Sequence, residues 1–131
     1  MIKIAFICVH NSCRSQIAEA LCKHLAADVF DAYSADTAVK EEINQDALRI
    51  MKDLYNIDMK NQYSKLITDI PNPDIAISMG CNVVCPFIER GFDYDWALED
   101  PTGKSDVEFI KVIKKIEENI INLKEILLKA N

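Results

Sequence analysis

The chain has 131 residues, 50% of them hydrophobic and 27% charged, and its 15 Lys and Arg against 21 Asp and Glu leave a formal charge of −6. This is the balance of one soluble globular domain over residues 1–131. It excludes a disordered tail, a fibrous repeat and nucleic-acid binding through bulk positive charge.

The five cysteines are an odd set, which argues against a closed disulfide framework. The apolar run at the N-terminus is too short for a signal peptide, and no stretch approaches the roughly 20 apolar residues of a membrane span. The expectation is a cytoplasmic protein with reduced thiols, no membrane or nucleic-acid partner, and a monomer at this size. In that compartment the cysteines point to metal binding, redox chemistry or buried small hydrophobes.

In chain order, Ile2–Cys8 is apolar and rich in β-branched residues, which predicts a buried strand. Ser12 is placed to cap a helix, and Ile17, Leu21 and Leu25 recur at every fourth residue between Arg14 and about Ala27. Val29–Ser34 predicts a second strand. Over Ile43–Tyr55, Ala47, Ile50, Met51 and Leu54 share one helical face. The breaker Pro71-Asn72-Pro73 precedes a third strand at Asp74–Met79. Tyr94–Leu98 predicts a short fourth strand. Ser105–Lys129 predicts a long helix with the stripe Val107, Ile110, Ile113, Ile116, Ile120, Leu123 and Leu127. Strands alternating with helices predict an α/β fold, a parallel sheet with helices on both faces.

Three constellations carry chemistry. The first is Cys8-Val9-His10-Asn11-Ser12-Cys13-Arg14-Ser15, where the first strand turns into the first helix. A helix N-terminus offers N–H groups and the positive end of its dipole to an oxyanion. Arg14 adds a planar fork for two oxygens of a tetrahedral anion. The same field favours the thiolate of Cys8, the nucleophilic form, to which Ser15 can donate a hydrogen bond. The loop from Val9 through His10, Asn11, Ser12 and Cys13 to Arg14 is thus a candidate oxyanion cradle. Taken singly, Cys8 reads as a strand-end thiol and Arg14 as a solvated helix residue. The glycines and lysine of a nucleotide-binding loop are absent.

The second is Cys81 and Cys85, bracketed by Gly80 and Pro86. In a parallel sheet the loops after the first and third strands open at one edge, which lets Cys81 approach Cys8. Cysteines four apart can join where the backbone between them is loop-like. A zinc pair and two inert thiols are the other readings, although zinc needs about four ligands. The third is Asp100-Pro101, either a plain turn into the last helix or a general acid that protonates a leaving oxygen.

Cys8-x5-Arg14-Ser15, continued by Gln16-Ile17-Ala18-Glu19, resembles the active-site loop of the low-molecular-weight protein tyrosine phosphatases. It is more similar to the thioredoxin-coupled arsenate reductases that share their fold. A cysteine pair after the third strand and the form Trp96-x3-Asp100-Pro101-x-Gly103 carry the same resemblance. It implies a single-domain three-layer sandwich, with a four-stranded parallel sheet of order 2-1-3-4 flanked by helices. It also implies reduction of arsenate, with phosphate or sulfate as mimics. The implied roles are Cys8 as nucleophile, Arg14 and Ser15 at the anion, Asp100 as acid, and successive Cys8–Cys81 and Cys81–Cys85 disulfides. Thioredoxin or another dithiol would supply the electrons, with no organic cofactor and no metal. The alternatives are a phosphatase using Cys8, Arg14 and Asp100 alone, and an arsenite or metal sensor binding through three cysteines. Some relatives hold potassium through residues matching Asn11, Glu19 and Ser34 and a downstream carboxylate. Lys65 stands at that carboxylate position, where its ammonium would replace the ion.

Overall fold

Side-chain alternation along the first strand, β1 (Ile2–His10), divides the core between two faces. The computed structural model describes residues 1–10, 13–38, 42–80 and 91–129. Ile4, Phe6 and Cys8 join the larger core cluster, while Ala5 and Ile7 join a smaller one on the other side. β1 pairs in parallel with β2 (Phe30–Ala38) and with β3 (Ile75–Ser78), and β3 pairs in parallel with β4 (Tyr94–Asp95). The sheet order is β2-β1-β3-β4, as expected.

The larger core is closed by α1 (Arg14–Leu25), α2 (Gln45–Tyr55) and α3 (Asp106–Lys129). Ile17 and Leu21 of α1, Ile50 and Met51 of α2, and Phe109, Ile113 and Ile116 of α3 are buried there. Full burial of each such side chain contributes about 1.5–3 kcal/mol. An exposed fork of hydrogen bonds from Arg49 to Asp106 also spans α2 and α3. On the other face, Ala5, Ile7 and Ala76 pack against Phe92 and against Ile67 and Ile70 at a 3₁₀ turn over Ile67–Asp69.

Element ends differ from the sequence expectation for local reasons. Cys13, not Ser12, holds the cap position of α1, and it makes no side-chain capping bond; Ser12 lies outside the described residues. α1 stops at Leu25, where the Ala26 N–H bonds to the Cys22 carbonyl. β2 continues past Ser34 because its pairing with β1 continues through Cys8↔Asp36 to His10↔Ala38. α2 starts at Gln45, since the Asn44 side chain accepts from the Ala47 N–H at 3.0 Å. β4 is cut short at Asp95, whose carboxylate takes the Ala97 N–H, with Ala97 itself at φ 48°. Because the sheet is parallel, the β1–α1 turn, the end of β3 and the chain after β4 all emerge at one edge.

Candidate active site

α1 buries an uninterrupted run from Arg14 to Cys22, including the polar residues Arg14, Ser15, Gln16 and Glu19. Burying such groups is costly unless each finds a partner. Their partners define the site.

Cys8 is buried at the C-terminal end of β1, and its Sγ lies 3.1 Å from Ser15 Oγ. The neutral thiol donates to the hydroxyl; once the thiol ionises, the hydroxyl turns and donates to the thiolate. Ser15 therefore stabilises the nucleophilic form from the first turn of the helix whose dipole also favours it. Cys13 behaves differently. Burial and the negative charge of Asp100 push its thiol up to about 12, against the smaller opposing effects of the Thr102 hydroxyl and Arg14. At neutral pH Cys13 is a neutral thiol beside Cys8.

Arg14 ties three chain segments together. Its Nη1 donates to the Leu98 carbonyl at 2.8 Å and to the Met79 carbonyl at 3.3 Å. One edge of the guanidinium is thus fixed by the chain after β4 and the end of β3, and this orients the fork. Gly80 makes the approach possible. A Cβ on it would stand 2.8 Å from the Leu98 carbonyl oxygen and 3.1 Å from Arg14 Nη1, and its φ is +128°. Sequence reasoning placed Gly80 only as the border of the cysteine segment, and the signal for this role is long-range. Trp96 packs on Phe6 with ring centroids 5.6 Å apart, which holds the segment carrying Leu98 against the core.

Asp100 follows at the same edge. Its Oδ1 accepts from the Thr102 hydroxyl at 2.7 Å and from the Thr102 N–H at 3.1 Å. Partial burial pushes its carboxyl up, but the Thr102 bonds and the charges of Arg14 and Lys104 outweigh this and hold it below the usual carboxylate range. Without a bound anion, Asp100 is ionised at neutral pH.

Of the other expected site residues, Val9 and His10 close β1 by their backbone. Asn11, Ser12, Cys81 and Cys85 lie outside the described residues. Both expected disulfides, Cys8–Cys81 and Cys81–Cys85, therefore fall there too. Gly80, which precedes Cys81 in the chain, lies directly beside Arg14.

Residues 3–131 match the family described as low molecular weight phosphotyrosine protein phosphatase. The chain belongs to this family. Within it, an arsenate reductase of Staphylococcus aureus (strain Newman) is 36% identical over 126 residues, which is 92% of this chain and 95% of that protein. A solved arsenate reductase in the phosphate binding state superposes with a TM-score of 0.81 at 34% identity, covering 95% of this chain and 98% of that one. A thioredoxin-dependent arsenate reductase from Corynebacterium glutamicum superposes at 0.77 with 33% identity, covering all of this chain and 64% of that one.

The potassium site that some members of the family carry does not fit the residues present here. Lys65 Nζ stands 3.4 Å from Glu19 Oε1 and 2.9 Å from the Tyr63 carbonyl. The same Glu19 oxygen accepts from Ser34 Oγ at 2.6 Å. The Glu19 oxygen that would ligate an ion already accepts an ammonium, and Asn11 lies outside the described residues. A second clasp lies next to it: Gln16 Nε2 donates to the Tyr63 carbonyl at 2.9 Å, and Gln62 Nε2 donates to Gln16 Oε1 at 2.7 Å. Sequence reasoning had Gln16 only as part of the active-site motif and missed its clasp with Gln62. A buried amide on an otherwise core-facing turn is the only local sign of it.

Proposed function

We propose that the protein reduces arsenate to arsenite, with Cys8 as nucleophile and a relay through Cys81 and Cys85 that thioredoxin or a similar dithiol resets. The observation that carries this reading is the Arg14 tie. One side chain draws together the loop of Cys8, the strand end that leads into Cys81, and the segment that leads into Asp100. Identity to arsenate reductases over nearly the whole chain supports the choice of substrate. The Corynebacterium glutamicum relative supports the choice of reductant.

The fork of Arg14 and the amides from Val9 to Cys13 hold the oxyanion, for which arsenate and phosphate are alike in shape and charge. The Cys8 thiolate attacks arsenic and forms an S–As bond, while one oxygen leaves as water on protonation by Asp100. Cys81 then attacks Cys8 Sγ. The S–As electron pair stays on arsenic, which falls from As(V) to As(III), and a Cys8–Cys81 disulfide forms. Cys85 attacks Cys81, frees Cys8 and leaves a Cys81–Cys85 disulfide for the external dithiol. The electrons come from thiols, so the reaction needs no organic cofactor and no metal. We read the protein as a cytoplasmic monomer of one domain, and among the described residues no helix is long and apolar enough to cross a membrane.

The test is thioredoxin-coupled NADPH consumption with arsenate, for wild type and for Cys8→Ser, Cys81→Ser and Cys85→Ser. All three variants should lose steady turnover, and Cys85→Ser should release one arsenite per chain. Full multi-turnover reduction by Cys85→Ser would sink the relay. The family's phosphatase chemistry gives the contrast: Cys81→Ser should retain kcat/KM for an aryl phosphate while losing it for arsenate. Arsenate reduction that persists in Cys81→Ser takes Cys81 out of the relay, and aryl phosphate hydrolysis with no arsenate reduction by wild type makes the protein a phosphatase.

A further inference from the structure

Glu19 is a carboxylate 95% removed from solvent, and Lys65, its partner at 3.4 Å, is only 11% exposed. A buried charge persists only when it is paired and hydrogen-bonded. Here the pairing is extensive. Glu19 Oε1 takes Ser34 Oγ and Lys65, and Glu19 Oε2 takes the solvent-facing Lys23 at 2.8 Å. Lys65 also donates to the Tyr63 carbonyl and lies 4.7 Å from the centre of the Tyr63 ring. The cluster thus joins α1, β2 and the segment around residue 63.

Its position matters for the chemistry. Glu19 is one helical turn below Ser15 on the same face of α1, and Ser15 holds the Cys8 thiol. Gln16, between them, is clasped to the same segment through Tyr63 and Gln62. The first two turns of α1, which present Arg14 and Ser15, are therefore pinned to the segment around residue 63 by the Lys65 ammonium and the Gln16 clasp.

We propose that Lys65 is the resident cation of this site, a positioning residue that fixes the first turns of α1 beneath the anion loop and makes the protein indifferent to monovalent metal ions. Where family members use a separate ion, this chain carries the charge covalently. The proposal rests on the anion-loop reading only for its affinity readout, since its thermal readout needs neither substrate nor turnover.

The experiment compares melting temperature and phosphate affinity in KCl, NaCl and tetramethylammonium chloride at equal ionic strength. A resident metal ion would raise stability with its own concentration by mass action. The wild type should give the same melting temperature and affinity in all three salts. A melting temperature that climbs with KCl and not with tetramethylammonium chloride overturns the proposal. Lys65→Met should weaken phosphate binding by about tenfold to a hundredfold, the range for a misplaced anchor of bound ligand; wild-type affinity in that variant also overturns it. Lys65→Met leaves the buried Glu19 with only the solvent-facing Lys23 as counter-charge; adding Glu19→Gln removes that under-paired carboxylate, so the double variant should melt higher than Lys65→Met alone. A double variant no more stable than the single one means the pair is not coupled. Should Lys65→Met fail to fold, the double variant and the wild-type salt series still decide. If wild type binds no phosphate, the anion-loop reading fails, and the melting series judges Lys65 by itself.

Discussion

At the scale of single residues, the site separates two neighbouring thiols by their surroundings. Cys8 has a hydroxyl at 3.1 Å that can serve its thiolate, whereas Cys13, pushed up to about 12, stays protonated. Ser15→Ala should therefore lower kcat/KM for arsenate by roughly tenfold to a hundredfold, and shift the pH profile of Cys8 alkylation by iodoacetamide upward. An unchanged alkylation profile would take Ser15 out of this role. Asp100 raises a different question, because a general acid held below the usual carboxylate range is ionised when substrate arrives. Arsenate resolves it by bringing its own proton: the monoanion with ionised Asp100 holds as many protons as the dianion with the acid. A bound anion also raises a neighbouring carboxyl, so the proton moves to Asp100 within the complex. Thr102→Val removes one bond to ionised Asp100 and should move the acid limb of kcat/KM up by about one pH unit. Asp100→Asn should abolish that limb and slow kcat by about 10²–10⁴-fold. A limb that stays in place in Thr102→Val belongs to another group.

At the scale of elements, the site depends on backbones that meet across the sheet. Gly80 passes so close to Leu98 that a methyl group would strike that residue's backbone oxygen and nitrogen. Gly80→Ala should cost about 1–3 kcal/mol in backbone strain alone, with further loss as the Leu98 carbonyl moves off Arg14. Denaturant unfolding reads the first loss and phosphate affinity the second; a variant as stable and as tight as wild type would mean the approach is not needed. Such contacts mark the limit of what the amino-acid order discloses. The strands and helices were legible because their apolar periods are local, and so was the nucleophile–arginine loop, which needs only a strand before it and a helix after it. The end of β2 was not, because it is set by pairing with β1 and not by its own residues. Nor was the halt of β4, which follows from Asp95 capturing the Ala97 N–H. Gln62 joins Gln16, and Lys65 joins Glu19, across 46 positions of chain, and no local pattern encodes that. Lys65 itself was legible only through the resemblance.

At the scale of the molecule, the charge of −6 says little about where an anion binds, since the attraction is local to Arg14 and the helix end. It also leaves open how pH acts on stability, which the individual groups decide. Burial raises the thiols of Cys13 and Cys22 to about 12 from the ordinary value of 9.0. Burial and the bond to Glu117 also raise Tyr55. A raised folded pKa means that the unfolded chain sheds its proton first. The stability these groups contribute is complete below pH 9.0 and is lost as pH rises toward 12. A shift of this size corresponds to on the order of 4 kcal/mol per thiol. Asp100, Asp106 and Asp28 are lowered below the ordinary 3.8, so their contribution is present above that value and falls away below it. Asp106 and Asp28 are exposed and add little. Stability should thus be level across the neutral range, decline gently below about pH 4 and decline steeply above about pH 9. Cys22 supplies the cleanest test, because it is buried in α1 with no part in the anion loop. Cys22→Ala creates little cavity and removes one titrating thiol. Its unfolding free energy, followed by urea denaturation from pH 7 to 10.5, should fall less steeply above pH 9 than that of wild type. Parallel curves for the two proteins would show that Cys22 titrates in the folded chain as it does in the unfolded one.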